Sequence, residues 1–117
     1  MFDGEKNVSE ELVQVRHAIY HQPNFVKNIH NLLCMQEMPI RQRNLLRPED
    51  LAKITAPTLV IWGRENPFGD VPEAHKMHKD IAGSRLELFE ECGHWPQHER
   101  PELYNPLAIA FLNEHSG

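Results

Sequence analysis

Thr58-Leu-Val-Ile-Trp62, entered through Pro57 and left through Gly63, decides the fold. A short, unbroken apolar run bounded by Pro and Gly is the pattern of a parallel strand buried on both faces. Toward the C-terminus follows a loop rich in Asn, Pro, Gly and Asp, then a polar segment from Pro72 to Ala82 that reads as a helix, with Gly83 as its C-cap. Arg85 to Phe89 reads as a second strand, Glu90 to Arg100 as a loop, and the chain from about Pro101 as a helix with Leu103, Leu107 and Phe111 on one stripe. Pro106 lies deep in that helix and is expected to bend its first turns. Strand–helix–strand–helix with short links is an α/β pattern and implies a parallel sheet.

Toward the N-terminus the pattern is helical throughout. Ser9 is a good N-cap ahead of Glu10 and Glu11, and Leu12, Val15 and Ile19 follow at helical spacing until Pro23. A second helix is expected from about Asn24, carrying Phe25, Ile29, Leu32 and Leu33, with Pro39 ending it and Arg41-Gln-Arg43 as a polar connection. Pro48 opens a short helical turn with Glu49 and Asp50 in it. Two parallel strands make an incomplete sheet with open hydrogen-bonding edges, and the first half supplies no others. The pattern reads as the end of a larger sheet.

With 117 residues the chain is one domain's worth, and Leu, Ile, Val and Phe make up 30 of them, which argues against disorder. The net charge of −5 falls in the second half, which has five Lys/Arg against ten Asp/Glu, while residues 1–56 balance at seven each. No basic stripe is present to neutralise phosphates, so no nucleic-acid partner is expected. No apolar run has the roughly 20 residues of a membrane span, and the start is too polar for a signal peptide. Cys34 and Cys92 do not form a disulfide framework, so a cytoplasmic location is expected.

Three further runs carry a resemblance. Ile54-Thr-Ala-Pro-Thr-Leu-Val-Ile-Trp-Gly-Arg64, Ile81-Ala-Gly-Ser-Arg-Leu86 and Cys92-Gly-His-Trp-Pro-Gln-His-Glu99 resemble the last two strands of α/β-hydrolases. The Gly-His-Trp-x-Gln-x-Glu run is similar to that of the meta-cleavage-product hydrolases, bacterial enzymes that hydrolyse a carbon–carbon bond in ring-fission products. The likeness is strong over residues 51–113 and weaker over residues 9–50, which look like the tail of a helical cap domain. The resemblance implies the C-terminal part of an α/β-hydrolase: a cap remnant over residues 1–47 and a core part over residues 48–117.

The same resemblance places His94 as the general base, in the loop after the last strand. Imidazole titrates near neutrality and can take and return a proton, and the carboxyl end of a parallel strand is where α/β sheets place their sites. By resemblance Trp95 and Phe68 line the substrate pocket. Arg16, in a Glu-Glu-Leu-x-x-x-Arg segment, matches a cap-helix arginine whose planar fork pairs a substrate carboxylate. The triad acid departs from the family pattern. Its position is Asn66, 28 residues before His94. An amide can hold an imidazole but does not offset its positive charge, and the equivalent swap in a serine protease costs about 10⁴ in rate. Asp70 and Glu65 are the nearby carboxylates that a folded-back loop would offer instead.

The nucleophile is missing. No Gly-x-Ser-x-Gly elbow occurs, and Ser9, Ser84 and Ser116 lack its flanks. The histidine pairs His17/His21, His75/His78 and His94/His98 come with neither Cys-x-x-Cys nor a His-Glu-x-x-His glutamate, so no metal and no cofactor is expected. Two functions follow. One is a hydrolase segment acting on a small molecule once a nucleophile-bearing half, or a complementary chain, is supplied. The other is a non-catalytic binding or oligomerisation module that self-associates through its sheet edge.

Overall fold

The computed structural model describes residues 8–116. The chain divides into two units, a helical one over Val8–Leu46 and a second one that begins at Arg47.

The helical unit holds α1 (Glu10–Tyr20), α2 (Pro23–Leu33), a 3₁₀ turn (Cys34–Gln36) and α3 (Met38–Arg43). Ser9 caps α1, its hydroxyl accepting from the Leu12 amide at 3.1 Å, as its sequence position predicts. Pro39 does not terminate α2. It sits in the first turn of α3, and Arg41 to Arg43 are helical. The physical reason is that a helix's first N–H groups need no internal partner, so proline starts helices as readily as it stops them. None of these helices contains a buried residue, and Val13, Ile19, Val26, Leu32 and Leu33 are exposed.

The second unit holds α4 (Pro48–Leu51), β1 (Leu59–Gly63), α5 (Val71–Asp80), β2 (Arg85–Phe89), α6 (Pro96–Glu99) and α7 (Pro101–Glu114). The strands pair in parallel, from Leu59 opposite Arg85 to Gly63 opposite Phe89. The ladder runs on at both ends, with Arg85 N–H donating to Thr58 at 2.9 Å and Arg64 N–H to Phe89 at 3.0 Å. Both strands therefore end level, and the loops that leave them start side by side. That register is what assembles the site.

Val60, Phe89, Cys92, Ala74 of α5 and Ile81 form the buried core. Leu59, Ile61 and Trp62 are only half-buried, short of the two-sided burial expected for β1. A strand with one paired neighbour in a two-stranded sheet has too little covering layer to bury every side chain. α5 ends at Asp80 rather than Ala82, because Ile81 leaves the helix to enter the core. Gly83 serves the turn beyond it, at φ +73°, where a side chain is strained. Pro106 lies inside α7, which continues through it. Within the loop expected after β2, Pro96 nucleates the short α6.

Candidate functional site

Gly63 is the last residue of β1, and a Cβ there would lie 2.2 Å from the carbonyl oxygens of Cys92 and Gly93. Only glycine lets the end of β1 lie against the loop after β2. Glu65 fastens the two: its amide donates to Cys92 O at 3.0 Å, and its carboxylate accepts from the Cys92 amide at 2.9 Å. Glu65 is thus committed to the backbone of the histidine loop. Arg64, its sequence neighbour, pairs with Glu90 instead.

The loop after β1 folds back under Trp62, whose indole N–H donates to Gly69 O at 3.2 Å. This turn delivers Asn66 to His94. Asn66 Oδ1 lies 3.1 Å from His94 Nδ1 and accepts the Phe68 amide at 3.1 Å. A backbone N–H can only donate, so the Asn66 atom it meets is the carbonyl oxygen. The neutral imidazole must then carry its proton on Nδ1, which leaves the Nε2 lone pair free as an acceptor. An asparagine free to flip could offer its NH₂ and select the wrong tautomer; the Phe68 amide prevents that. The Phe68 ring meets the His94 ring edge-on, with centroids 4.8 Å apart, and is otherwise 77% exposed.

His94, Asn66, Gly93 and Trp62 line a cavity of about 140 Å³ at the carboxyl ends of the strands. Phe68 and Trp95 do not line it: Phe68 stands over the imidazole, and Trp95 meets His98 edge-on at 6.2 Å. A larger cavity, about 390 Å³, lies at the opposite, amino ends of the strands beside Thr58 and Arg85. Asp70 is not brought to Nδ1. It precedes α5, exposed, with its backbone carbonyl accepting the Glu73 amide at 2.9 Å. Arg16 belongs to the helical unit, where its guanidinium donates to the Tyr20 hydroxyl at 3.1 Å.

Glu99 is the residue whose role the sequence analysis missed. Only 7% exposed, it accepts the Gly93 amide and the Trp95 amide, each at 2.9 Å, one on each carboxylate oxygen. The signal was present. A glutamate at the end of the short turn that Pro96 opens, one position beyond the N3 site of a capping box, is placed to reach back to the amides before it. Cys92 is fully buried, and desolvation, with the Glu99 charge next in importance, pushes its thiol up to about 11. It is an inert packing group. Ser84 and His78 also meet, at 2.9 Å, but the serine hydroxyl donates to His78 O at 3.0 Å, so the imidazole is the donor and the pair latches a turn. Among the described residues, no three His, Cys, Asp or Glu side chains converge as metal ligands do. Among them, too, no helix is long and apolar enough to cross a membrane.

Two level parallel strands, a helix between them, and an imidazole in the loop after the second make a partial α/β-hydrolase fold. Its solved neighbours have that fold. The meta-cleavage product hydrolase CumD of Pseudomonas fluorescens IP01 superposes with a TM-score of 0.75 at 28% identity, over 92% of this chain and 39% of that one. CarC, a serine hydrolase involved in carbazole degradation, gives 0.76 at 24% identity, over 91% and 40%. No protein-family profile matches the chain. In sequence it is 37% identical over 111 residues to 2-hydroxy-6-oxo-6-phenylhexa-2,4-dienoate hydrolase of Comamonas testosteroni. It is 34% identical over 113 residues to 2-hydroxy-6-oxononadienedioate/2-hydroxy-6-oxononatrienedioate hydrolase of the same organism. These alignments take in 94% and 96% of this chain but 37% and 38% of those proteins. The chain is therefore similar to meta-cleavage product hydrolases along nearly all its length and corresponds to the C-terminal part of an α/β-hydrolase.

Proposed function

We propose that this chain carries the general-base loop of a serine-type α/β-hydrolase that cleaves a C–C or ester bond in a small, carboxylate-bearing ring-fission product. The observation that supports this best is His94 held as its Nδ1–H tautomer by Asn66, with Nε2 left to accept. The chain contains no Gly-x-Ser-x-Gly elbow, so the nucleophile comes from outside residues 1–117. His94 Nε2 takes the serine proton as the oxygen attacks the substrate carbonyl, then gives that proton to the departing carbon or oxygen. A water molecule next loses a proton to Nε2 and attacks the acyl group, and the proton returns to the serine as the acid leaves. Asn66 orients the imidazole, and of the loop's two carboxylates Glu65 is held by the Cys92 amide while Asp70 stands exposed before α5. In this reading the helical unit is the end of a cap, Arg16 is its candidate for binding a substrate carboxylate, and Phe68 contacts the base through the edge of its ring.

The test is complementation. The chain is mixed with a separately produced N-terminal segment of the Comamonas 2-hydroxy-6-oxo-6-phenylhexa-2,4-dienoate hydrolase, chosen to carry a Gly-x-Ser-x-Gly elbow, and loss of that dienoate is followed. Turnover above either part alone, abolished by His94→Ala, is expected. The reading is overturned if the two parts form a stable complex without turnover while the same segment with its own C-terminal part is active. That outcome favours a binding or oligomerisation module working through the two-stranded sheet's edges.

A further inference from the structure

We infer that Glu99 is the positioning residue of the histidine loop, the group that aims the His94 side chain at Asn66. The inference rests on reading His94 as the base. The two amides that Glu99 accepts belong to Gly93 and Trp95, the residues on either side of His94. One carboxylate therefore bridges the histidine and holds the peptide planes before and after it. With both planes held, the His94 backbone dihedrals have little freedom, and the direction of its Cα–Cβ bond follows from them. Side-chain packing does not supply this control, because His94 and Phe68 are exposed. Glu65 fixes the entry to the loop at Cys92, and the carbonyls of Cys92 and Gly93 lie against Gly63. Of these supports, only Glu99 reaches both sides of His94.

The chemistry demands a carboxylate. Two N–H donors converge on one buried side chain, and a carboxylate offers two acceptor oxygens, whereas a carboxamide offers one and turns its NH₂ toward the other donor. Bonds from backbone amides to a buried carboxylate are charge-assisted and stronger than neutral ones.

The experiment uses the whole chain without substrate or nucleophile, so its outcome is separate from that of complementation. Hydrogen exchange and long-range ¹H–¹⁵N spectra of the imidazoles are recorded for wild type, Glu99→Gln and Glu99→Asp. In wild type, the Gly93 and Trp95 amides should exchange at least about 10-fold more slowly than in an unstructured peptide, and His94 should show a single Nδ1–H tautomer. In Glu99→Gln, one of the two amides should exchange about 10- to 150-fold faster, and the His94 signals should become those of a tautomer mixture, with core amides such as Val60 unchanged. Glu99→Asp keeps two acceptor oxygens and should restore the single tautomer. An unaltered His94 tautomer in folded Glu99→Gln overturns the inference. Peptide-rate exchange of Gly93 and Trp95 in wild type overturns it as well, whether or not the variants fold.

Discussion

Replacing Gly63 by alanine adds one methyl group where the histidine loop crosses the end of β1. That methyl would stand 2.2 Å from two carbonyl oxygens and 2.6 Å from the Cys92 carbonyl carbon. All three atoms are backbone, so no rotamer change relieves the overlap. The ladder fixes β1 on one side and Glu65 fixes Cys92 on the other, so the two must separate. The expected loss is about 3 kcal/mol, the upper part of the usual range for overpacking. Gly83→Ala is the reference. Its φ of +73° strains a side chain, but nothing lies within 4 Å of the added carbon, and it should lose about 1 kcal/mol. Both tryptophans, Trp62 and Trp95, lie in the unit that begins at Arg47, so thermal unfolding followed by their fluorescence reports that unit. At roughly 4–8 °C per kcal/mol for a unit of this size, Gly63→Ala should lower Tm by roughly 12–24 °C and Gly83→Ala by roughly 4–8 °C. Equal effects of the two variants would refute the close-approach reasoning and leave Gly63 an ordinary strand residue.

Asp50, hydrogen-bonded first to Lys53 and then to Arg47, has its carboxyl lowered to about 2. Its contribution to α4 is complete above its ordinary value near 4 and is lost as pH falls toward 2; carboxyl NMR should find that midpoint, and Lys53→Ala should move it upward. Cys92, pushed up to about 11 by burial, contributes stability in full below about 9 and loses it as pH climbs toward 11. At pH 8 a disulfide reagent should modify the partly exposed Cys34 in the folded chain, and Cys92 only after denaturant is added. In the complemented hydrolase, Asn66→Ala should lower turnover by at least about 10²-fold, against about 10⁴ for an established triad acid. Asp70→Asn should cost less; the reverse order in that assay would make Asp70 the third member of the site.

The elements set by local chemistry were legible residue by residue. Ser9 announced α1, the Pro57-to-Gly63 run announced β1, and the span of β2 was read without error. A proline has two meanings, and the sequence around Pro39 suits the end of one helix as well as the start of the next, which is where it lies. The polar surroundings of Ile81 point to α5, but the core it enters is made by residues distant in sequence. His94 and Asn66 were nameable as candidates from the motifs around them. The bond between them was not, since it spans 28 residues and depends on a turn that Trp62 holds from outside.

Sequence alone determined that this protein has a parallel strand pair, an imidazole in the loop after the second strand, and no nucleophile elbow, because each is a matter of residue type and short-range order. Tertiary structure alone decided what the acidic residues do. Glu65, Asp70 and Glu99 are equivalent letters near one histidine, yet Glu65 and Glu99 spend their oxygens on backbone amides of the loop, and Asp70 stands exposed before α5. A carboxylate takes its role from the donors that reach it. Those donors come from wherever the sheet register lays the two loops together, which short-range sequence order does not record.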